Sequence, residues 1–103
     1  MVFDVSKVSG IGEYSSEIKK VGEGVDAENV TVYRRGEKAF LVVRKNTLEV
    51  RTDEKLSGLL REKYESVMES RYFGRGGIEI VDSGQLSKDE INDLARLSYQ
   101  MSK

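Results

Sequence analysis

The apolar positions of this chain change their period several times, and each change marks an element. Ile11, Tyr14, Ile18 and Val21 recur at intervals of three and four, which predicts a first helix over 11–21. Gly22 and Gly24 stop it, because glycine tolerates the positive φ of a helix C-cap. Residues 29–33 (NVTVY) then alternate and are β-branched, 35–38 form a polar turn around Gly36, and 39–43 are an unbroken apolar run. After a turn at Lys45-Asn46, residues 47–51 (TLEVR) alternate again, with Leu48 and Val50 on one side and Glu49 and Arg51 on the other. This predicts three antiparallel strands in a meander, the middle one buried on both faces.

A second helix is expected to start at Thr52 or Asp53 and to place Leu56, Leu59, Leu60, Tyr64, Val67 and Met68 on one face. Gly58 within it suggests a close crossing over a strand. A glycine-rich link over 72–77 (YFGRGG) leads to a short strand over 78–81 and a turn at 82–84. Ser87 and Glu90 have the spacing of a capping box. They open a last helix over 88–101 that buries Ile91, Leu94, Ala95 and Met101. The predicted order is α-β-β-β-α-β-α. The fold class is α+β: a single antiparallel sheet of about four strands, with helices on one face, in one domain over 1–103.

Composition narrows the chemistry more than the fold. The chain has 103 residues, 38% hydrophobic and 34% charged, so one modest core under a densely charged surface is the expected solution. It has no His and no Cys. That excludes an imidazole base, a thiolate nucleophile, disulfides and Cys/His zinc or haem sites. No cofactor and no metal are expected, and no apolar run is long enough for a membrane helix. A cytoplasmic location is the default expectation. The formal net charge is −1, but it is unevenly spread: residues 1–30 carry −3 and residues 31–51 carry +4.

From Glu37 onward the sequence resembles the MmcQ/YjbR-like group, related to the N-terminal domain of the competence regulator TfoX. The resemblance is carried by the hairpin EKAFLVVRKNTLEVRTDEK, by YFGRGGIEIV leading into a strand, and by INDLARLSYQM with its Leu-x-x-x-Ser-Tyr ending. It spans about residues 37–101 and implies a double-wing α+β fold. The term "wing" also suggests contact with nucleic acid.

Two clusters are candidate binding chemistry. Arg34, Arg35, Lys38, Arg44, Lys45 and Arg51 surround the predicted hairpins. With Tyr33 or Phe40 as a stacking aromatic, they would let guanidinium groups meet phosphates while a ring stacks a base. Arg75 lies within the FGRGG link and Arg71 just before it, and backbone N–H groups of the link could turn toward an anion; a plain flexible connection is the simpler account. The expected function is a non-enzymatic binding domain contacting DNA, RNA or an acidic protein. The alternative is a protein-interaction or self-associating module with no nucleic-acid role. No pairing of carboxylates, Lys, Ser or Tyr stands out as catalytic.

Overall fold

The computed structural model describes residues 3–103. Strands β1 (Ser15–Val21), β2 (Glu28–Arg35), β3 (Lys38–Val43) and β4 (Thr47–Arg51) precede helix α1 (Glu54–Lys63). Strands β5 (Val67–Ser70) and β6 (Gly74–Val81) and helix α2 (Lys88–Met101) follow. All six strands form one antiparallel sheet in the order β1-β2-β3-β4-β6-β5. Both helices pack on the same side of it, over a core that includes Leu41, Leu48, Val50, Ile78, Ile80 and Ile91. The α+β class and the single antiparallel sheet agree with expectation; the strand count and element order do not.

Two corrections account for the difference. The stretch predicted as a first helix is strand β1, and the end of the predicted second helix is strand β5. In both places the apolar spacing fits a helix, but a neighbouring strand needs a partner. β2 and β6 are buried, with Val30, Val32, Ile78 and Ile80 at most 1% exposed, so open N–H and C=O groups there would be costly; β1 and β5 pair them and move the open row to more exposed strands. Helix α1 ends at Lys63; its Asp53 cap accepts a hydrogen bond from the Leu56 N–H, as the sequence suggested. Gly58 has open space where a Cβ would stand, so no strand crosses it closely.

The meander β2-β3-β4 is present, and its middle strand is buried on both faces. Its register shifts between Tyr33 and Arg34: Tyr33 pairs with Leu41 and Arg34 with Ala39, which leaves Phe40 as an extra residue on β3. A bulge of this kind turns two consecutive side chains to one side. Phe40 and Leu41 therefore both enter the helix-side core, while Ala39 and Val42 join Val30 and Val32 in a smaller cluster on the opposite face.

Helix α2 begins at the Ser87–Glu90 capping box, with both reciprocal bonds formed. It buries Ile91, Ala95, Ser98 and Tyr99, whereas Met101 is exposed. Ser98 fixes the helix to the bulge: its hydroxyl donates to the Phe40 carbonyl at 2.6 Å and accepts the Arg51 N–H at 2.7 Å. Among the described residues, no helix is long and apolar enough to cross a membrane.

Candidate functional site

The basic residues singled out by the sequence do not all converge; Arg44, Lys45 and Arg71 share one cleft, and the others lie elsewhere. Arg34, Arg35 and Lys38 lie at the β2–β3 turn, whereas Arg44 and Lys45 lie at the β3–β4 turn, at opposite ends of β3. A six-residue strand separates the two ends by about 20 Å. Most of these cations are also engaged inside the molecule. The Arg34 guanidinium bonds Glu17 at 2.9 Å. That of Arg35 donates to the Tyr99 carbonyl and stands 4.3 Å from the centre of the Tyr99 ring. Arg51 donates to the Ala39 carbonyl and lies over Phe73. Lys38, Lys45 and Arg75 are exposed and make no ion pair among the described residues.

Neither proposed stacking aromatic is placed for that role. Phe40 is fully buried, with its ring 5.0 Å from that of Tyr99. Tyr33 is half-buried on the helix side, edge-on to Tyr14, and burial pushes its hydroxyl pKa up. Arg51 does face away from the helices beside an aromatic, but that ring is Phe73, delivered by the β5–β6 hairpin. The FGRGG segment opens β6 and belongs to this hairpin. Gly74 takes a positive φ, and a Cβ at Gly77 would stand 2.5 Å from that of Phe73 and 2.8 Å from the Val50 carbonyl. The glycines are thus accounted for by backbone geometry and close packing.

Arg44 and Arg71 are engaged in a charge network on the sheet face opposite the helices. The β4–β6 register sets Glu49 directly against Glu79, and both are buried, with 0% and 3% of their surface exposed. Two like charges in that position would repel unless each were separately neutralised. Glu49 accepts bonds from Arg44 Nε at 2.6 Å, Ser70 Oγ at 2.7 Å and the Tyr72 N–H at 2.9 Å. Glu79 accepts a two-pronged pair from Arg71 at 2.9 and 2.6 Å, and a third bond from the Thr47 hydroxyl. Arg44, its side chain only 6% exposed, also reaches Glu28 at 2.6 Å. Among the described residues no buried side-chain polar atom lacks a partner.

This network has an electrostatic signature. Burial alone raises the pKa of the Glu79 carboxyl, but the bonds from Arg71 and Thr47 outweigh it and hold the group below its ordinary value of 4.5. A carboxylate whose pKa is lower when folded contributes stability above its unfolded pKa and loses it as pH falls through the folded one. The melting temperature is therefore expected to hold down to about pH 5 and then fall. Glu79→Gln should flatten that acid limb, as thermal melts monitored by circular dichroism across pH would show; an identical slope in the variant would contradict the assignment.

An open cleft of about 420 Å³ borders the network, lined by Asp26, Glu28, Arg44, Lys45, Thr47 and Arg71 among others. Its walls carry both signs of charge, and of its three cations Arg44 and Arg71 are already ion-paired with Glu28, Glu49 and Glu79. Among the described residues, no group of three or more carboxylates converges as metal ligands.

The feature the sequence reading missed is the outer strand β1. It pairs with β2 on one side, and among the described residues no other backbone hydrogen bond reaches Ser15–Val21. Along its seven residues every second one turns its N–H and C=O outward without a partner, and Ile18 at the centre is 74% exposed. The other outer strand, β5, has four residues and a register shift. Residues 15–21 (SSEIKKV) carry no apolar–polar alternation, and the three-four spacing of Ile11, Tyr14, Ile18 and Val21 pointed to a helix instead.

No protein-family model and no curated protein matches the chain. Among solved structures it is similar to the crystal structure of a structural-genomics protein from Pseudomonas syringae. The TM-score is 0.65 and the identity 17%, covering 84% of this chain and 87% of that one. This likeness carries the fold alone and says nothing about kinship with the MmcQ/YjbR-like group.

Proposed function

We propose that this chain is a non-enzymatic protein-interaction domain that works through the open edge of its sheet. The observation that carries this reading is β1: a seven-residue edge whose outward-turned N–H and C=O groups have no partner among the described residues, around an isoleucine that is three-quarters exposed. Adding a strand to such an edge is a common way to recognise an extended partner, because main-chain hydrogen bonds supply affinity and alternate side chains supply selectivity. The nucleic-acid reading is weaker here, because Arg34, Arg35, Arg44, Arg51 and Arg71 already hold partners within the fold. Lys38, Lys45 and Arg75 are what remain for it. Kinship with the MmcQ/YjbR-like group stays a proposal resting on residues 37–101.

Two measurements test the function. Fluorescence anisotropy with labelled DNA and RNA over a salt series should stay flat. Binding that weakens steeply with salt, and is lost when Lys38, Lys45 and Arg75 are replaced by Glu, would favour phosphate contact instead. Photo-crosslinking from position 18, with position 59 on α1 as an exposed control, should give a protein adduct from position 18 alone. No adduct from position 18 would defeat the edge reading.

A further inference from the structure

We infer that the partner of β1 is a second copy of this chain, added antiparallel in a register centred on Ile18, so that two six-stranded sheets join into one. This rests on the edge reading above and adds the identity and register of the partner.

The β1–β2 register puts Glu17 opposite Val32, Lys19 opposite Val30 and Val21 opposite Glu28, so these three β1 side chains lie on the sheet face away from the helices. Ser16, Ile18 and Lys20 lie on the helix side, opposite Tyr33, Thr31 and Asn29. A two-fold axis perpendicular to the sheet keeps each side chain on its own face. Directly opposed residues must then belong to the same alternating set, and the axis must pass through a residue.

Charge separates the registers that remain. Centring on Glu17 sets two glutamates against each other, and centring on Lys19 or Lys20 sets two lysines together; both are unfavourable for cross-strand neighbours. Centring on Ser16 puts Ser15 against Glu17 and leaves Ile18, Lys19, Lys20 and Val21 without partners in the strand. Centring on Ile18 uses all seven residues. It sets Ile18 against Ile18, Glu17 against Lys19 twice, Ser16 against Lys20 and Ser15 against Val21.

The same register gives the exposed isoleucine an apolar partner. It also adds Lys19 of the second copy beside each Glu17, which already holds its own Arg34 at 2.9 Å and its own Lys19 at 3.6 Å. Lysines on an edge normally prevent indiscriminate pairing. In this strand the Glu-Ile-Lys order opposes the shifted registers and admits one.

Sedimentation velocity on the full chain at low salt should show a concentration-dependent dimer. Glu17→Lys and Lys19→Glu each turn both attractive cross-strand pairs into repulsive ones, so each variant alone should dimerise roughly tenfold more weakly or worse. Mixed in equal amounts, the two should form a heterodimer, because positions 17 and 19 are then both lysine in one chain and both glutamate in the other, and each cross-strand pair is again attractive. Circular dichroism on each variant checks that the fold is retained. A wild-type chain that stays monomeric up to about 1 mM overturns the proposal. So does a dimer indifferent to either charge change, or a mixture in which no heterodimer forms. Photo-crosslinking from position 18 separates the two claims. An adduct of twice the chain mass supports the second copy. An adduct with a different protein from a monomeric chain removes the second copy and leaves the edge reading standing, whereas no adduct removes both.

Discussion

Glu49→Ala is expected to destabilise the fold by about 3–5 kcal/mol, the range found when one member of a buried ion pair is deleted. The reason is what stays behind. Arg44 would keep a buried guanidinium with Glu28 as its one remaining carboxylate, and Ser70 Oγ and the Tyr72 N–H would lose their shared acceptor. Domains of this size have roughly 5–15 kcal/mol of stability in total, so the variant should sit close to unfolding at ambient temperature. Urea denaturation followed by far-ultraviolet circular dichroism measures it. Glu49→Gln is the informative companion: it keeps the shape and one acceptor but removes the charge, and should fall between wild type and alanine. If Glu49→Ala matched wild type within about 0.5 kcal/mol, the size of an ordinary surface substitution, Glu49 would have to be solvated in solution rather than buried.

Phe40→Ala is expected to have an effect of similar size, about 3–5 kcal/mol, through a different mechanism. Phe40 is fully buried on the helix side, stacked edge-on against Tyr99, and its carbonyl accepts the Ser98 hydroxyl. Removing the ring leaves a cavity at the junction of β3 and α2, where surrounding groups are already held by the bulge and by Ser98. The experiment also separates the two roles considered for this residue. A base-stacking ring could be removed with little change in denaturation midpoint and a large loss of nucleic-acid binding. A core ring, as the fold has it, shows the reverse. Phe40→Leu should recover much of the loss, because it restores apolar volume in the same pocket.

Both substitutions fall on residues whose importance was only half visible along the chain. The alternation in TLEVR does say that Glu49 points away from Leu48 and Val50, and the fold agrees. Alternation alone, however, assigns a charged residue to water. What buries Glu49 is its register opposite Glu79, together with Arg44, Ser70 and the Tyr72 amide converging on it. Likewise the run over 39–43 reads as a doubly buried strand, but which of its side chains goes to which face depends on one extra residue in the β2–β3 ladder. The basic clusters looked like a surface because carboxylates distant in sequence, such as Glu17 for Arg34, are invisible to local counting.

Whatever depends on near neighbours was legible along the chain. The meander, the Asp53 and Ser87 caps, the closing helix, the α+β class and the absence of thiol and imidazole chemistry follow from local period, capping chemistry and composition. Whether 11–21 and 67–70 coil or extend was fixed only in three dimensions, because an apolar spacing of three and four fits both a helix and an irregular strand. The buried backbone of β2 and β6, which cannot turn to water for its hydrogen bonds, then selects the strand. The same holds for which charges meet. Opposite charges drawn from residues up to tens of positions apart, such as Glu17 and Arg34 or Arg71 and Glu79, meet only when the sheet closes, and the same closure sets β1 at its outer edge.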